Sequence, residues 1–66
     1  MSVLKVIELM ASSDKSWEDA TKTAISKASK TVKNIKAVWV KDQSVAVDKG
    51  KVTEFRVTLK ASFEVS

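Results

Sequence analysis

The alternation of apolar and polar residues along the chain predicts three β-strands and one helix. Residues 2–10 are rich in branched aliphatic side chains, which favour an extended strand. The polar stretch 12–15 ends this pattern. From residue 35 onward the apolar positions recur with a period of two, which predicts strands over residues 35–47 and 51–65. The predicted order of elements is therefore βαββ.

The segment between the first two strands predicts a helix that begins after Ser16 and ends near Asn34. The Ser16 hydroxyl is suited to accept a hydrogen bond from the backbone N–H of Asp19, as in a capping box. An apolar stripe with three- and four-residue spacing is formed by Trp17, Ala20, Ala24, Ala28 and Thr31, and Ile25 and Val32 widen it. Trp17 is predicted to anchor the start of the helix in the core or in an interface.

The segment 48–50 predicts a three-residue hairpin loop with Gly50 in the left-handed conformation. An all-antiparallel sheet then needs the third strand between the other two, in the order 1-3-2, with the helix on one face. This is an α+β fold. The face under the helix is predicted to contain Thr53, Phe55, Val57, Leu59, Ala61, Phe63 and Val65, joined by Val38 and Val40. The opposite face is predicted to contain Ala37, Trp39, Lys41, Arg56, Thr58 and Lys60.

Chain length indicates that this fold needs partner subunits. The 66 residues form one predicted domain, residues 1–66, and a core of that size contributes only about 3–5 kcal/mol. The sequence has no cysteine and no histidine, which removes disulfides and the usual zinc, haem and iron–sulfur sites. The face without a helix contains a tryptophan beside cations, a combination that marks an interface or a ligand site.

Charge and motifs exclude several classes of function. Twelve basic and eight acidic residues give a net charge of +4, and a basic surface can attract nucleic acid. Because the two signs interleave along the chain and no nucleic-acid motif is present, we expect a solvated lysine-rich surface, and a nucleic-acid binder is the third and weakest class of function. No apolar run approaches the roughly 20 residues of a membrane span. The N-terminus lacks a signal-peptide pattern, so a cytoplasmic protein is expected. With no histidine, and with Gly50 as the only glycine, neither a nucleophilic triad nor a glycine-rich phosphate loop is predicted, and we expect no enzyme activity.

Five segments, in their order and spacing, resemble the dodecin family. They are 3–9 (VLKVIEL), 12–20 (SSDKSWEDA), 28–31 (ASKT), 40–43 (VKDQ) and 50–57 (GKVTEFRV). The resemblance implies βαββ subunits that assemble as twelve into a hollow homododecamer, and a role in binding or storage. Many dodecins hold flavins such as FMN, FAD or riboflavin, stacked in pairs between tryptophans at subunit contacts.

The resemblance places a flavin site at Ala37, Trp39, Asp42, Gln43 and Arg56. Ala37 occupies the position of the usual stacking tryptophan, and Arg56 that of a glutamine that hydrogen-bonds the flavin ring edge. The Asp42-Gln43 pair is retained. Trp39 lies about 7 Å further along the same strand face. It is a candidate replacement platform, or else it packs in a subunit contact.

Two functions stay open on this resemblance. The first is flavin sequestration at subunit interfaces. The second is a flavin-free shell with a structural or calcium-binding role, for which no metal-ligating residue is predicted. It is suggested by family members that lack the stacking tryptophan: some of these look flavin-free, and calcium binding is proposed for them instead.

Overall fold

The computed structural model describes residues 3–65 and contains the predicted elements in the predicted order. They are β1 (Val3–Ser13), α1 (Trp17–Ala28), β2 (Ile35–Asp48) and β3 (Lys51–Val65). The strands form one antiparallel sheet in the order β1-β3-β2, which confirms the predicted βαββ topology. Residue 2, where the first strand was predicted to begin, lies outside the described residues, and β1 continues past residue 10 to Ser13.

The helix begins as predicted and ends earlier than predicted. The Ser16 hydroxyl accepts a hydrogen bond from the Asp19 backbone N–H at 2.9 Å. The helix ends at Ala28, not near Asn34, because residues 29–31 form turns that bring the chain round to β2. Asn34 does take the left-handed conformation, with φ 64°. Its carbonyl accepts from the Glu64 N–H at 3.2 Å, so this residue directs the chain into β2. In the described part of the chain, no helix is long and apolar enough to cross a membrane.

The hairpin between β2 and β3 has a two-residue loop, so the prediction of three loop residues was wrong. Asp48 pairs directly with Lys51. Lys49 and Gly50 both have positive φ, 52° and 77°. That pair of angles is the pattern of a type I′ turn, whose twist matches the twist of the two strands. The left-handed Gly50 is confirmed.

The core lies between the helix and the central strand. Ala20, Val57 and Leu59 form its buried centre, and the half-buried side chains packed against it are Leu9, Ala11, Trp17, Ala24 and Val38. Val57, Leu59 and Ala61 are buried on the face of β3 that was predicted to lie under the helix. Val40 shares this face because it pairs with Leu59, yet it stays 48% exposed.

Trp17 fixes the start of the helix against the sheet. Its indole N–H donates to the Ser44 carbonyl of β2 at 3.0 Å. Its ring meets Phe55 edge to face, with 5.3 Å between the ring centroids. Trp17 is therefore a core anchor, one of its two predicted roles.

The helix is too short to cover even one face of the sheet. A helix of 12 residues spans about 18 Å, whereas a strand of 15 residues spans about 50 Å. The radius of gyration is 13.6 Å, against about 10.8 Å for a compact chain of this length. The exposed surface is 5013 Å², against about 4,100 Å² for a compact monomer of this mass.

Large apolar side chains account for part of this excess surface. The exposed ones are Val3, Leu4, Val6, Met10, Trp39, Val40, Val45, Val47, Val52 and Val65. They lie at both ends of the sheet, on the face away from the helix and, for Val40 and Val45, on the part of the helix face that the helix leaves uncovered. The subunit therefore has the surface expected of a component of an assembly.

We expect the unfolding temperature to depend on protein concentration, because folding of an obligate oligomer is coupled to association. Tryptophan fluorescence from nanomolar to micromolar protein, with light scattering at the higher concentrations, measures this. The expected result is a transition that rises with concentration and no folded species of 7.2 kDa. A folded monomer that melts at one temperature across the whole range would contradict the expectation.

Candidate functional site

The sheet face turned away from the helix, here called the open face, contains most of the predicted site. Directly paired residues of antiparallel strands point to the same side, so the register defines this face. Its central residues are Arg56, Thr58, Lys60 and Ser62 on β3, Ser12, Met10, Glu8 and Val6 on β1, and Ser44, Asp42, Trp39 and Ala37 on β2. The predicted placement of Ala37, Trp39 and Arg56 on one face is therefore confirmed.

Asp42 and Gln43 lie on opposite faces of the sheet. Asp42 pairs with Thr58 on the open face, and Gln43 pairs with Val57 on the helix face. The register of β2 shifts between Val40 and Asp42, so Lys41 is an extra, bulged residue. Such a bulge lets two consecutive side chains leave the same side of the strand. In agreement with this geometry, the Lys41 side chain pairs with Glu8 on the open face, which is the face predicted for Lys41.

Two ion pairs lie on the open face. Lys41 Nζ is 3.1 Å from Glu8 Oε1, across the central strand. Arg56 Nε is 3.2 Å from Glu54 Oε2, two residues away along β3. Both pairs are about half exposed, so each contributes at most about 1 kcal/mol to stability. Their main effect is to orient the cationic groups of Lys41 and Arg56 toward carboxylates.

A shallow groove of about 340 Å³ lies on the open face near Asp42 and extends across all three strands. Its lining includes Met10, Ser12, Asp42, Ser44, Arg56 and Thr58. Three of these side chains end in hydroxyl groups and one in a carboxylate, and all four groups offer oxygen atoms. The hydroxyl groups Ser12, Ser44 and Thr58 were not predicted, because their proximity to Asp42 depends on the strand register.

Ala37 and Trp39 lie beyond this groove along β2. Trp39 pairs with Lys60 and is 53% exposed. Ala37 pairs with the buried Ser62, whose hydroxyl donates to the Ala37 carbonyl at 3.5 Å. Ala37 pairs with residue 62 of β3, six residues from Arg56, which corresponds to about 20 Å along the sheet. The predicted site residues of one subunit therefore cannot surround one small ligand.

The ionisable groups of one subunit do not assemble a metal centre. Within residues 3–65, no group of three or more Asp or Glu side chains gathers closely enough to hold a cation. Hydrogen bonding to Glu18 raises the pKa of Lys22, but this pair lies on the exposed surface of the helix. A cation on the open face would need ligands from more than one subunit.

The sequence model of the Dodecin family matches residues 3–66. A protein named calcium dodecin, from Mycobacterium tuberculosis strain H37Rv, is 41% identical over 66 residues, which is 98% of this chain and 92% of that protein. These matches cover nearly the whole chain.

Solved structures show the same fold. A variant of the Thermus thermophilus dodecin superposes with a TM-score of 0.94 at 27% identity, covering 100% of this chain and 98% of that one. The calcium-chelating antigen calcium dodecin from Mycobacterium tuberculosis, described with a novel calcium-binding site, has a TM-score of 0.85 at 38% identity. That match covers 98% of this chain and 93% of that one.

Proposed function

The chain belongs to the dodecin family, and from this we propose that it is a non-enzymatic subunit that binds a small ligand at contacts between subunits. An assembly of twelve fits the family. The excess surface and the exposed apolar side chains of the subunit support an assembled state. The distance of about 20 Å between Ala37 and Arg56 supports a site built from several copies.

The ligand that the open face supports best is a calcium ion. Calcium prefers six to eight oxygen ligands, among them carboxylates, at roughly 2.3–2.6 Å. The observation that carries this proposal is the Asp42 carboxylate in a groove with Ser12, Ser44 and Thr58. The relative at 41% identity is named for calcium, which agrees with this chemistry. Arg56 lines the same groove, and its pairing with Glu54 offsets its charge.

Titration calorimetry on the assembled protein tests the calcium proposal. We expect Ca²⁺ to bind more tightly than Mg²⁺, because Mg²⁺ demands stricter geometry and loses its waters reluctantly. Asp42→Asn is expected to weaken Ca²⁺ binding by at least about tenfold, since it removes a charged ligand. Asp48→Asn, at the hairpin, is the matched control and should leave binding unchanged. Absence of Ca²⁺ binding, or equal losses in both variants, would contradict the proposal.

Flavin sequestration, with FMN or riboflavin as the ligand, is the second candidate function. Trp39 supports it, because this indole lies on the same face as Ala37 and is 53% exposed. Stacking of a planar ring on an aromatic side chain contributes about 1–3 kcal/mol to binding. Against tight binding, Ala37 supplies no ring, and Arg56 has five N–H donors and no acceptor. Titrating FMN with the protein and following flavin fluorescence measures this binding directly.

A further inference from the structure

Residues 20–41 contain six lysines and no acidic residue. The expectation that charges interleave along the chain was therefore wrong for this segment. Two of these lysines are held in ion pairs, Lys22 with Glu18 at 2.9 Å and Lys41 with Glu8 at 3.1 Å. Lys27, Lys30 and Lys33 follow one another at three-residue spacing, through the end of the helix and into the turn after it. Residues 27–33 are called the basic turn here.

Backbone hydrogen bonds order the basic turn. The Lys30 N–H donates to the Lys27 carbonyl at 3.2 Å, and the Thr31 N–H donates to the Ala28 carbonyl at 3.1 Å. Such bonds between residues three apart give 3₁₀ geometry, in which those side chains eclipse one another. Lys27 and Lys30 therefore leave the same side of the chain, and both are exposed.

The other exposed side chains of this region are small and polar. Ser29, Thr31 and Asn34 are exposed, whereas Val32 is half-buried. Among the described residues 26–34, no large apolar side chain faces water. Glu64 of β3 is the acidic residue nearest to this region: it lines a shallow groove together with Lys33 and Asn34, and its backbone N–H donates to the Asn34 carbonyl at 3.2 Å. Its single carboxylate offsets only part of the charge of the three lysines.

We propose that the basic turn binds the phosphate backbone of nucleic acid without reading its sequence. Lysine ammonium groups and hydroxyl groups are typical donors to phosphate oxygens. The basic turn has no aromatic side chain on which a base could stack. An anionic membrane surface fits less well, because helices that bind it insert large apolar side chains. Each copy in an assembly repeats the surface, which raises the avidity for a long polyanion. This proposal does not depend on calcium or flavin binding.

Fluorescence anisotropy of a labelled DNA duplex, measured with the assembled protein, tests this proposal. Three lysine–phosphate contacts predict that affinity falls at least roughly 40-fold between about 50 and 200 mM salt. The triple variant Lys27→Gln/Lys30→Gln/Lys33→Gln should bind more weakly and lose almost all of this salt dependence. Lys30→Gln alone should lower the slope of log affinity against log salt by about one for each copy that contacts the duplex.

The matched control is Lys15→Gln/Lys49→Gln/Lys51→Gln, which removes the same charge from exposed positions elsewhere. It should keep the salt slope of the unmodified protein, and light scattering should show every variant assembled. Three results would overturn the proposal. They are no binding at about 50 mM salt, equal losses in the two triple variants, or a preference for phosphatidylglycerol–phosphatidylcholine vesicles over the duplex.

Discussion

Replacing Leu59 by alanine is expected to abolish the folded subunit. Leu59 is 0% exposed and lies at the centre of the core with Ala20 and Val57. Truncating a buried leucine to alanine costs about 2–5 kcal/mol, through lost burial and the cavity left behind. A single core in a chain this small contributes only about 3–5 kcal/mol. The substitution therefore removes most of what holds one copy together before any partner is added.

Circular dichroism and light scattering measure this effect. The Leu59→Ala protein should lose its cooperative melting transition and its assembled mass at micromolar concentration. Lys51→Ala is the matched control, because Lys51 lies on the same strand but at the hairpin, where its side chain is exposed. It should cost less than about 1 kcal/mol, as surface substitutions do. If both variants melted at the temperature of the unmodified protein, the core around Leu59 would not limit stability.

The two faces of the sheet were predictable because the alternation in β3 is regular. Its pairing with β1 has no register shift along the whole length from Val3 to Ser13. A regular strand with period two assigns each side chain to one face. The N-cap at Ser16 was predictable for a similar reason, since it depends only on residues three apart.

The helix end and the β2 register were not predictable in the same way. The helix stops at Ala28 because the chain must turn to enter β2, a tertiary requirement that overrides the lysine-rich pattern beyond it. The pairing of β2 with β3 shifts register three times, with an unpaired residue at Lys36 and Lys41 of β2 and at Thr53 of β3. A bulge inserts one residue without changing the sequence pattern that surrounds it.

These shifts decide the composition of the candidate site. The shift at Lys41 places Asp42 opposite Thr58, and the one at Thr53 places Ser44 opposite Arg56. A neighbouring pair such as Asp42-Gln43 can be recognised in the sequence, but its division between two faces depends on the alternation around the bulge. Contacts between subunits are harder still, because the periodicity of one chain does not say which exposed patch meets which copy.

Ala37→Trp is expected to raise the affinity for FMN by roughly 5- to 150-fold, because one aromatic stack contributes about 1–3 kcal/mol. Ala37 is exposed on the open face, so the larger ring does not displace the core. Quenching of FMN fluorescence on titration measures the gain. Ala37→Leu is the matched control, since it adds apolar bulk at the same exposed position without an aromatic ring. It should bring little gain. Equal gains in both variants would indicate apolar burial and not stacking, and no gain with tryptophan would mean that this position does not contact the flavin.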